Sequence, residues 1–281
     1  MESIRDLLSE SRTLQEDTAR LEAEVLLADV LNKPRSYLYA HSESEPLCEL
    51  ADKYRELLAR RGRGEPLAYL TGFREFWSLK LSVDQHTLIP RPETELLVEW
   101  GLELDLPSAS RMLDLGTGSG ALALALATER PQWQVAASDS SSAALAVAVA
   151  NAARLGLDQV KFLTSNWYES IHAEEYDLIV SNPPYIDAED EHLLQGDVRF
   201  EPRTALVAED HGLADLALIV RGARDYLCSG GWLLLEHGMS QGSLVRELLS
   251  KAGYTSIATR TDLAGLERAT GGQLIAGSSV R

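Results

Sequence analysis

From Arg111 onward, short apolar runs alternate with stretches of helical spacing, and this alternation constrains the fold more than any other feature of the chain. The apolar runs are Arg111–Leu115, Gln134–Ser138, Val160–Thr164, Tyr176–Ser181 and Gly231–Glu236. Between them the spacing predicts helices over Gly120–Thr128, Ser142–Leu155 and Leu213–Tyr226. Strands joined through helices lie parallel, and successive crossovers cover both sheet faces, so the expected fold class is α/β with a mainly parallel sheet. Ligands in such a sheet sit beyond the carboxyl ends of the strands, near the point where strand order reverses. The late segments Thr255–Thr259 and Leu274–Ala276 are expected to add an antiparallel pair.

The chain before Phe73 has a different character. Ile4, Leu7, Leu8 and Leu14 keep helical spacing, and so does the run from Ala19 to Leu31, which Pro34 ends for want of an amide N–H. A further helix is expected from Leu47 to Arg61, stopped by Gly62. No glycine-rich loop or catalytic constellation occurs here, so this small bundle reads as a recognition or support element. Phe76–Val83 is rich in aromatic and branched residues, and Asp84-Gln85-His86 reads as a turn, which predicts a β-hairpin connecting the two parts. Ile89-Pro90-Arg91-Pro92 follows as a stiff segment, and Glu93-Thr94-Glu95 opens a helix through Trp100.

Two loops after strands carry the chemistry. The first is Asp114-Leu115-Gly116-Thr117-Gly118-Ser119-Gly120. Its glycines allow a tight turn and close approach of a ligand to the backbone, and the following helix aims its N-terminal amides at that ligand. Asp139, at the end of the second strand and about 20 residues on, is placed to accept both hydroxyl hydrogens of a ribose. The Gly-x-Gly-x-Gly spacing differs from that of dinucleotide folds. Asp114 would repel a pyrophosphate and tolerate a cationic ammonium or sulfonium, which favours S-adenosylmethionine over NAD. Trp167, after the third strand, is a candidate to stack on or cap the adenine.

The second loop, Asn182-Pro183-Pro184-Tyr185, ends the strand Tyr176–Ser181. It offers a fixed amide, a rigid carbonyl and an aromatic face, a set suited to gripping a planar nitrogen-bearing group. The Asn182 side-chain oxygen and the Pro183 carbonyl can each accept one N–H of an acceptor NH₂, which aims its lone pair at an electrophile and stabilises charge that develops on nitrogen. Tyr185 can pack its ring on the planar acceptor. Together the loops predict transfer of a methyl group to a conjugated nitrogen.

Charge narrows the acceptor. The net charge is −17, from 26 basic and 43 acidic residues, and a chain so acidic repels nucleic acid unless it concentrates a basic patch. The densest basic stretch, Arg60-Arg61-Gly62-Arg63, is short. Cys48 and Cys228 stand far apart and form no metal-ligand pair, and His237 has no evident metal partners, so no metal is expected. No apolar run reaches membrane-spanning length, and the N-terminus lacks a signal-peptide pattern; a reducing cytoplasm is the expected location.

The chain resembles the peptide chain release factor glutamine N5-methyltransferases, the PrmC/HemK family, over nearly its whole length. The residues that carry the resemblance are Ile89 to Glu95, Asp114 to Gly120, Asn182 to Ile186, Asp197-Val198-Arg199-Phe200-Glu201-Pro202 and Glu236-His237-Gly238. Asn-Pro-Pro-Tyr alone is shared with adenine-N6 methyltransferases, which makes a nucleic-acid adenine-N6 methyltransferase the alternative reading; the combination with residues 89–95 and 197–202 is far more specific. Ser119, where threonine is also usual, and Glu93, where aspartate is usual, are mild departures.

The resemblance implies a helical release-factor-recognition domain over residues 1–73, a connecting hairpin over 74–92 and a seven-stranded S-adenosylmethionine-dependent methyltransferase domain over 93–281. It implies methylation of the glutamine in the Gly-Gly-Gln motif of class 1 release factors; the acidic charge and the lack of a long apolar run leave neither nucleic acid nor membrane expected as a direct partner. Asp114, Gly116, Thr117, Gly118, Ser119, Gly120, Asp139 and Trp167, with Asn182, would hold the cofactor, and Asn182, Pro183, Pro184 and Tyr185 the glutamine. Arg91 is a candidate anchor for a carboxylate or backbone of the substrate. Arg199 and Glu201 are read as ordering the loop after the acceptor motif.

Overall fold

The computed structural model describes residues 2–14, 18–172 and 175–275, which fall into two compact units. The first spans Met1–Phe73 and takes in Leu194–Phe200. Among the described residues it holds five α-helices: α1 (Ile4–Ser9), α2 (Ala19–Val30), α3 (Arg35–Ala40), α4 (Cys48–Gly62) and α5 (Leu67–Thr71). Ser3 and Asp6 cap α1 reciprocally, each side chain taking the other's backbone N–H. Leu7, Leu26, Leu27, Leu38 and Tyr54 are fully buried in its core. Leu194–Phe200 joins this unit through charge. The buried Arg61 guanidinium donates to Glu22 at 2.7 Å and to Asp197 at 2.8 Å, and Arg199 donates to the Arg63 carbonyl at 2.7 Å.

Next come the hairpin strands β1 (Phe73–Phe76) and β2 (Leu79–Ser82). Their turn is Trp77-Ser78, both at positive φ, and not Asp84-Gln85-His86 as the sequence suggested. Two-residue hairpin turns of this shape usually announce themselves by Asn-Gly, so Trp-Ser gives no signal. Asp84–Thr87 does form a turn, closed by Thr87 N–H to the Asp84 carbonyl at 3.0 Å, but no partner strand follows it directly.

The second unit continues with α6 (Glu95–Glu103), β3 (Arg111–Leu115), α7 (Ala121–Glu129), β4 (Gln134–Asp139), α8 (Ser142–Leu155), β5 (Lys161–Thr164) and β6 (Tyr176–Ser181). A two-residue parallel pair, β7 (Ile186–Asp187) with β8 (Val207–Ala208), precedes the short turn α9 (Glu209–Gly212). Then come α10 (Ala214–Gly222), β9 (Leu227–Glu236), α11 (Gly242–Lys251), β10 (Thr255–Thr261) and β11 (Glu267–Gln273). The seven-stranded sheet has the order β10-β11-β9-β6-β3-β4-β5. Pairings from β9 to β5 are parallel, and β11 and β10 are antiparallel.

Alternation along the strands sorts side chains onto two cores. Met112, Leu178 and Val180 point to the face covered by α6 and α7, while Leu113, Leu115 and Ile179 point to the face covered by α10 and α11. Ala121 to Ala127 is buried without a break, which explains why α7 shows no polar stripe. The Ser141 hydroxyl caps α8 by accepting from Ala144 N–H at 3.2 Å.

The closing strand is Glu267–Gln273 and not Leu274–Ala276, of which Ala276 lies outside the described residues. Its sequence, Glu-Arg-Ala-Thr-Gly-Gly-Gln, has almost no apolar content to signal a strand. Gly271 is buried here because Leu234 and Trp100 press against it: a Cβ would come 2.5 Å from the Leu234 side chain. The chain leaves β3 for β4 and β5 on one side and returns to β6 on the other. This reversal opens a crevice at the carboxyl ends of β3 and β6.

Candidate active site

Both sequence-marked loops meet at that crevice, since Leu115 and Ser181, the last residues of β3 and β6, are register partners. The Ser181 hydroxyl ties the two ends by donating to the Leu115 carbonyl at 2.7 Å. Beyond Leu115, the Gly116 and Thr117 N–H groups both donate to the Ser138 carbonyl at 2.9 Å, folding the loop back over β4. That fold needs φ of +73° at Gly116 and +56° at Gly118, the left-handed region that glycine enters without strain.

Asp139 is built into this loop: its Oδ2 accepts from Gly118 N–H at 2.9 Å and its Oδ1 from Ser141 N–H at 2.8 Å. A carboxylate has about four lone-pair positions, so acceptor capacity remains for hydroxyl groups in the cavity it lines. That cavity has a volume of about 190 Å³ and is also lined by Gly116, Gly118, Trp167, Asn182 and Pro184. A smaller one, about 40 Å³, is lined by Asp114, Thr117, Ser119, Thr94 and, again, Asn182. Asp114 is 1% exposed. Its Oδ2 accepts from the Thr117 hydroxyl at 2.6 Å and from Ala123 N–H at 3.2 Å, while its Oδ1 has no partner. Burial pushes this carboxyl up to about 7. A buried carboxylate oxygen without a donor fits a ligand that brings a cationic donor. Gly120, at φ +90°, caps α7 and lines neither cavity.

Trp167 is held rather than left to swing. Its backbone takes φ +48°, its indole N–H donates to Asp215 of α10 at 3.1 Å, and its ring lies against Gly116. Asp215 also lines the larger cavity, and burial raises its carboxyl. Sequence reasoning did not find it, because nothing near Asp215 in the chain marks a site.

The acceptor loop is supported by residues far from it in sequence. Asn182 Nδ2 donates to the Thr94 hydroxyl at 3.1 Å, and Thr94 donates to Glu236 Oε2 at 2.6 Å. The Tyr185 hydroxyl donates to the other Glu236 oxygen at 3.1 Å. Glu236, at the end of β9, is 2% exposed, and burial pushes it up to about 7. The Tyr185 carbonyl accepts from the Gln241 amide at 3.0 Å and passes close to Gly212, where a Cβ would sit 2.1 Å from that oxygen. Of the four loop residues, Asn182 and Pro184 line the larger cavity; Pro183 and Tyr185 line neither. Thr94, Glu236, Gln241 and Gly212 were not foreseen in these roles. The only sequence signal is that Thr94 and Glu236 fall within segments that carry the family resemblance.

The remaining candidates lie outside the cavities. Arg91 pairs with Glu201, which is 4% exposed and also accepts Ile89 N–H at 3.0 Å. This pair pins residues 89–91 to the chain after the acceptor loop, and Arg91 lines neither cavity. His237 is buried: Nδ1 faces the Gly238 carbonyl at 2.9 Å, so that nitrogen carries the hydrogen, and Nε2 accepts from the Thr270 hydroxyl at 2.7 Å. Burial lowers its affinity for a proton, which keeps the ring neutral. Among the described residues no group of histidine, cysteine and carboxylate side chains is arranged to hold a metal, and no helix is long and apolar enough to cross a membrane.

Comparison with known proteins agrees with this geometry. Residues 3–72 match the family model described as the PrmC N-terminal domain, and residues 92–197 match the methyltransferase small domain. A release factor glutamine methyltransferase of Aliivibrio fischeri is 48% identical over 95% of this chain and 94% of its own length. One from Salmonella typhimurium is 51% identical over 92% of this chain and 93% of its own. A crystal structure of a methyltransferase from Pyrococcus furiosus superposes with a TM-score of 0.53 at 17% identity, covering 70% of this chain and 89% of that one, a likeness of fold. On the strength of these near-full-length matches, the chain belongs to the release factor glutamine methyltransferase family.

Proposed function

We propose that this protein transfers a methyl group from S-adenosylmethionine to the side-chain amide nitrogen, N5, of the glutamine in the Gly-Gly-Gln motif of class 1 peptide chain release factors. The observation that carries the reading is the position of Asn182, which lines both cavities at the meeting of the two loops. Bound there, S-adenosylmethionine supplies an electron-poor methyl group on a sulfonium. Asp114, Gly116, Thr117, Gly118, Ser119, Gly120, Asp139 and Trp167 are assigned to holding it. The Asp139 carboxylate would accept from ribose hydroxyls, and the Asp114 carboxyl, which lines the smaller cavity, would favour the cationic end of the ligand.

An amide nitrogen is a weak nucleophile because its lone pair is delocalised. The Asn182 side-chain oxygen and the Pro183 carbonyl each accept one N–H of the glutamine, which turns the lone pair toward the methyl group and stabilises the positive charge that develops on nitrogen. Pro183 and Pro184 keep the carbonyl rigid, and Tyr185 stiffens the loop from behind through Glu236. Positioning supplies the rest, on the order of several kcal/mol. No strong base is required, since the methylated nitrogen sheds its proton readily. We assign residues 1–73 to release-factor recognition, 74–92 to the connection and 93–281 to methyl transfer. The activity belongs in the cytoplasm, where release factors work.

Incubation with methyl-labelled S-adenosylmethionine, a class 1 release factor and unmethylated DNA tests this. The expected result is label on the release factor, lost when its Gly-Gly-Gln glutamine is replaced. Label on DNA alone would assign the Asn-Pro-Pro-Tyr loop to adenine and reject the proposal.

A further inference from the structure

We infer that Thr94 and Glu236 form a buried relay that fixes which way round the Asn182 amide sits, so that its oxygen and not its nitrogen faces the acceptor. The inference rests on the function proposed above and adds two positioning residues to it. Interatomic distance alone does not tell an amide oxygen from an amide nitrogen, but counting hydrogens does. An ionised Glu236 carboxylate carries no hydrogen and can only accept. Thr94 Oγ1 lies 2.6 Å from Glu236 Oε2, so the single hydroxyl hydrogen of Thr94 goes to Glu236. Thr94 therefore presents only lone pairs to Asn182, and the amide atom 3.1 Å away must be the NH₂ group. The Asn182 oxygen is then left for the acceptor N–H. The second Glu236 oxygen is satisfied by the Tyr185 hydroxyl, so one carboxylate sets two residues of the acceptor loop.

The polarity of this relay depends on the charge of Glu236. A protonated Glu236 can donate to Thr94, which frees the Thr94 hydrogen for an amide oxygen and permits Asn182 to flip. The flipped amide turns its NH₂ toward the NH₂ of the glutamine, donor against donor. The groups that face Glu236 are Thr94 and Glu93 ahead of α6, Tyr185 after β6 and Arg268 of β11, with His237 next to it in the chain. Burial and Glu93 favour the neutral form, whereas the two hydroxyl donors and Arg268 favour the charged one. A structural role for Thr94 would not couple the rate to this charge.

Thr94→Val keeps the shape of the side chain and deletes its hydroxyl. Expected is a fall in kcat of about 10- to 100-fold, the scale of a misplaced catalytic group, with an unaltered circular-dichroism spectrum and cooperative thermal unfolding as evidence of an intact fold. Thr94→Ser, which retains the hydroxyl, should restore most of the rate. With saturating cofactor, the unaltered protein should lose kcat as pH falls through about 7, the value to which burial pushes Glu236, and Thr94→Val should lack that step. Should Thr94→Val fail to fold, Glu236→Gln carries the test through the pH profile, because its amide does not titrate: the step near pH 7 should vanish, and a step that persists overturns the inference. A Thr94→Val kcat within twofold of the unaltered protein overturns the inference and leaves the proposed function standing, as does a loss that Thr94→Ser does not repair. No transfer to the release-factor glutamine by the unaltered protein overturns both.

Discussion

The cofactor loop and the acceptor loop end neighbouring strands of one sheet, yet they are held by opposite means. Gly116 to Gly120 is shaped by its own backbone: positive φ at Gly116 and Gly118, two amides on the Ser138 carbonyl, and Asp139 one strand away. Asn182 to Tyr185 is shaped by proline stiffness and by side chains from distant parts of the chain, namely Thr94, Glu236 and Gln241. The first loop can bend around a ligand, and the second gives an acceptor little room to choose its angle. This division suits a transfer in which one partner must be bound and the other aimed.

The largest effect is expected for Asn182→Ala. It should lower the single-turnover rate at saturating cofactor by about 10²- to 10³-fold, the scale of removing one aimed hydrogen-bonding group. Cofactor affinity, measured by calorimetry, should move far less. Asp139→Ala should do the reverse. The loss of charge-assisted hydrogen bonds to a ribose, at about 1.5–3 kcal/mol, predicts S-adenosylmethionine binding weaker by roughly 10- to 100-fold, with much of the rate recovered at saturation.

Protonation separates the loops from the unfolded chain rather than from each other. Asp114 and Glu236 are both pushed by burial up to about 7, above the value near 4 of an unfolded carboxyl. A raised carboxyl binds its proton more tightly in the folded state, so its contribution to stability is present in acid and lost as pH rises through about 7. The melting temperature of the cofactor-free protein should therefore fall as pH rises from about 4 to about 7 and level off above that. Asp114→Asn should flatten that decline. The smallest effect is expected for Trp167→Phe, which keeps the ring against Gly116 but loses the indole bond to Asp215. One hydrogen bond of about 1 kcal/mol predicts cofactor binding weaker by a few-fold, with the rate at saturation retained.

The same contrast explains what the sequence revealed. Arg111–Leu115, Tyr176–Ser181 and Ser142–Leu155 run over the expected residues, because local apolar periodicity sets them. The shape of the Gly116–Gly120 loop was legible because its requirements, glycine at bends and a carboxylate after the next strand, are written within 26 consecutive residues from Asp114 to Asp139. Thr94, Asp215 and Glu236 were not legible as partners. Their roles arise only when α6, α10 and β9 come together, and no local pattern marks a threonine that accepts from an asparagine 88 positions away. The hairpin turn at Trp77-Ser78 and the strand Glu267–Gln273 were missed for a related reason. Tertiary packing imposes both on residues whose own preferences point elsewhere.

The most direct test of the account asks which atom receives the methyl group. A class 1 release factor labelled by this protein would be hydrolysed in strong acid, which cleaves side-chain amides. Methyl transfer to the glutamine N5 predicts that the label leaves as methylamine. Label that stays with an amino acid would place the methyl group on another atom and contradict the assignment of Asn182 and Pro183 to a glutamine amide.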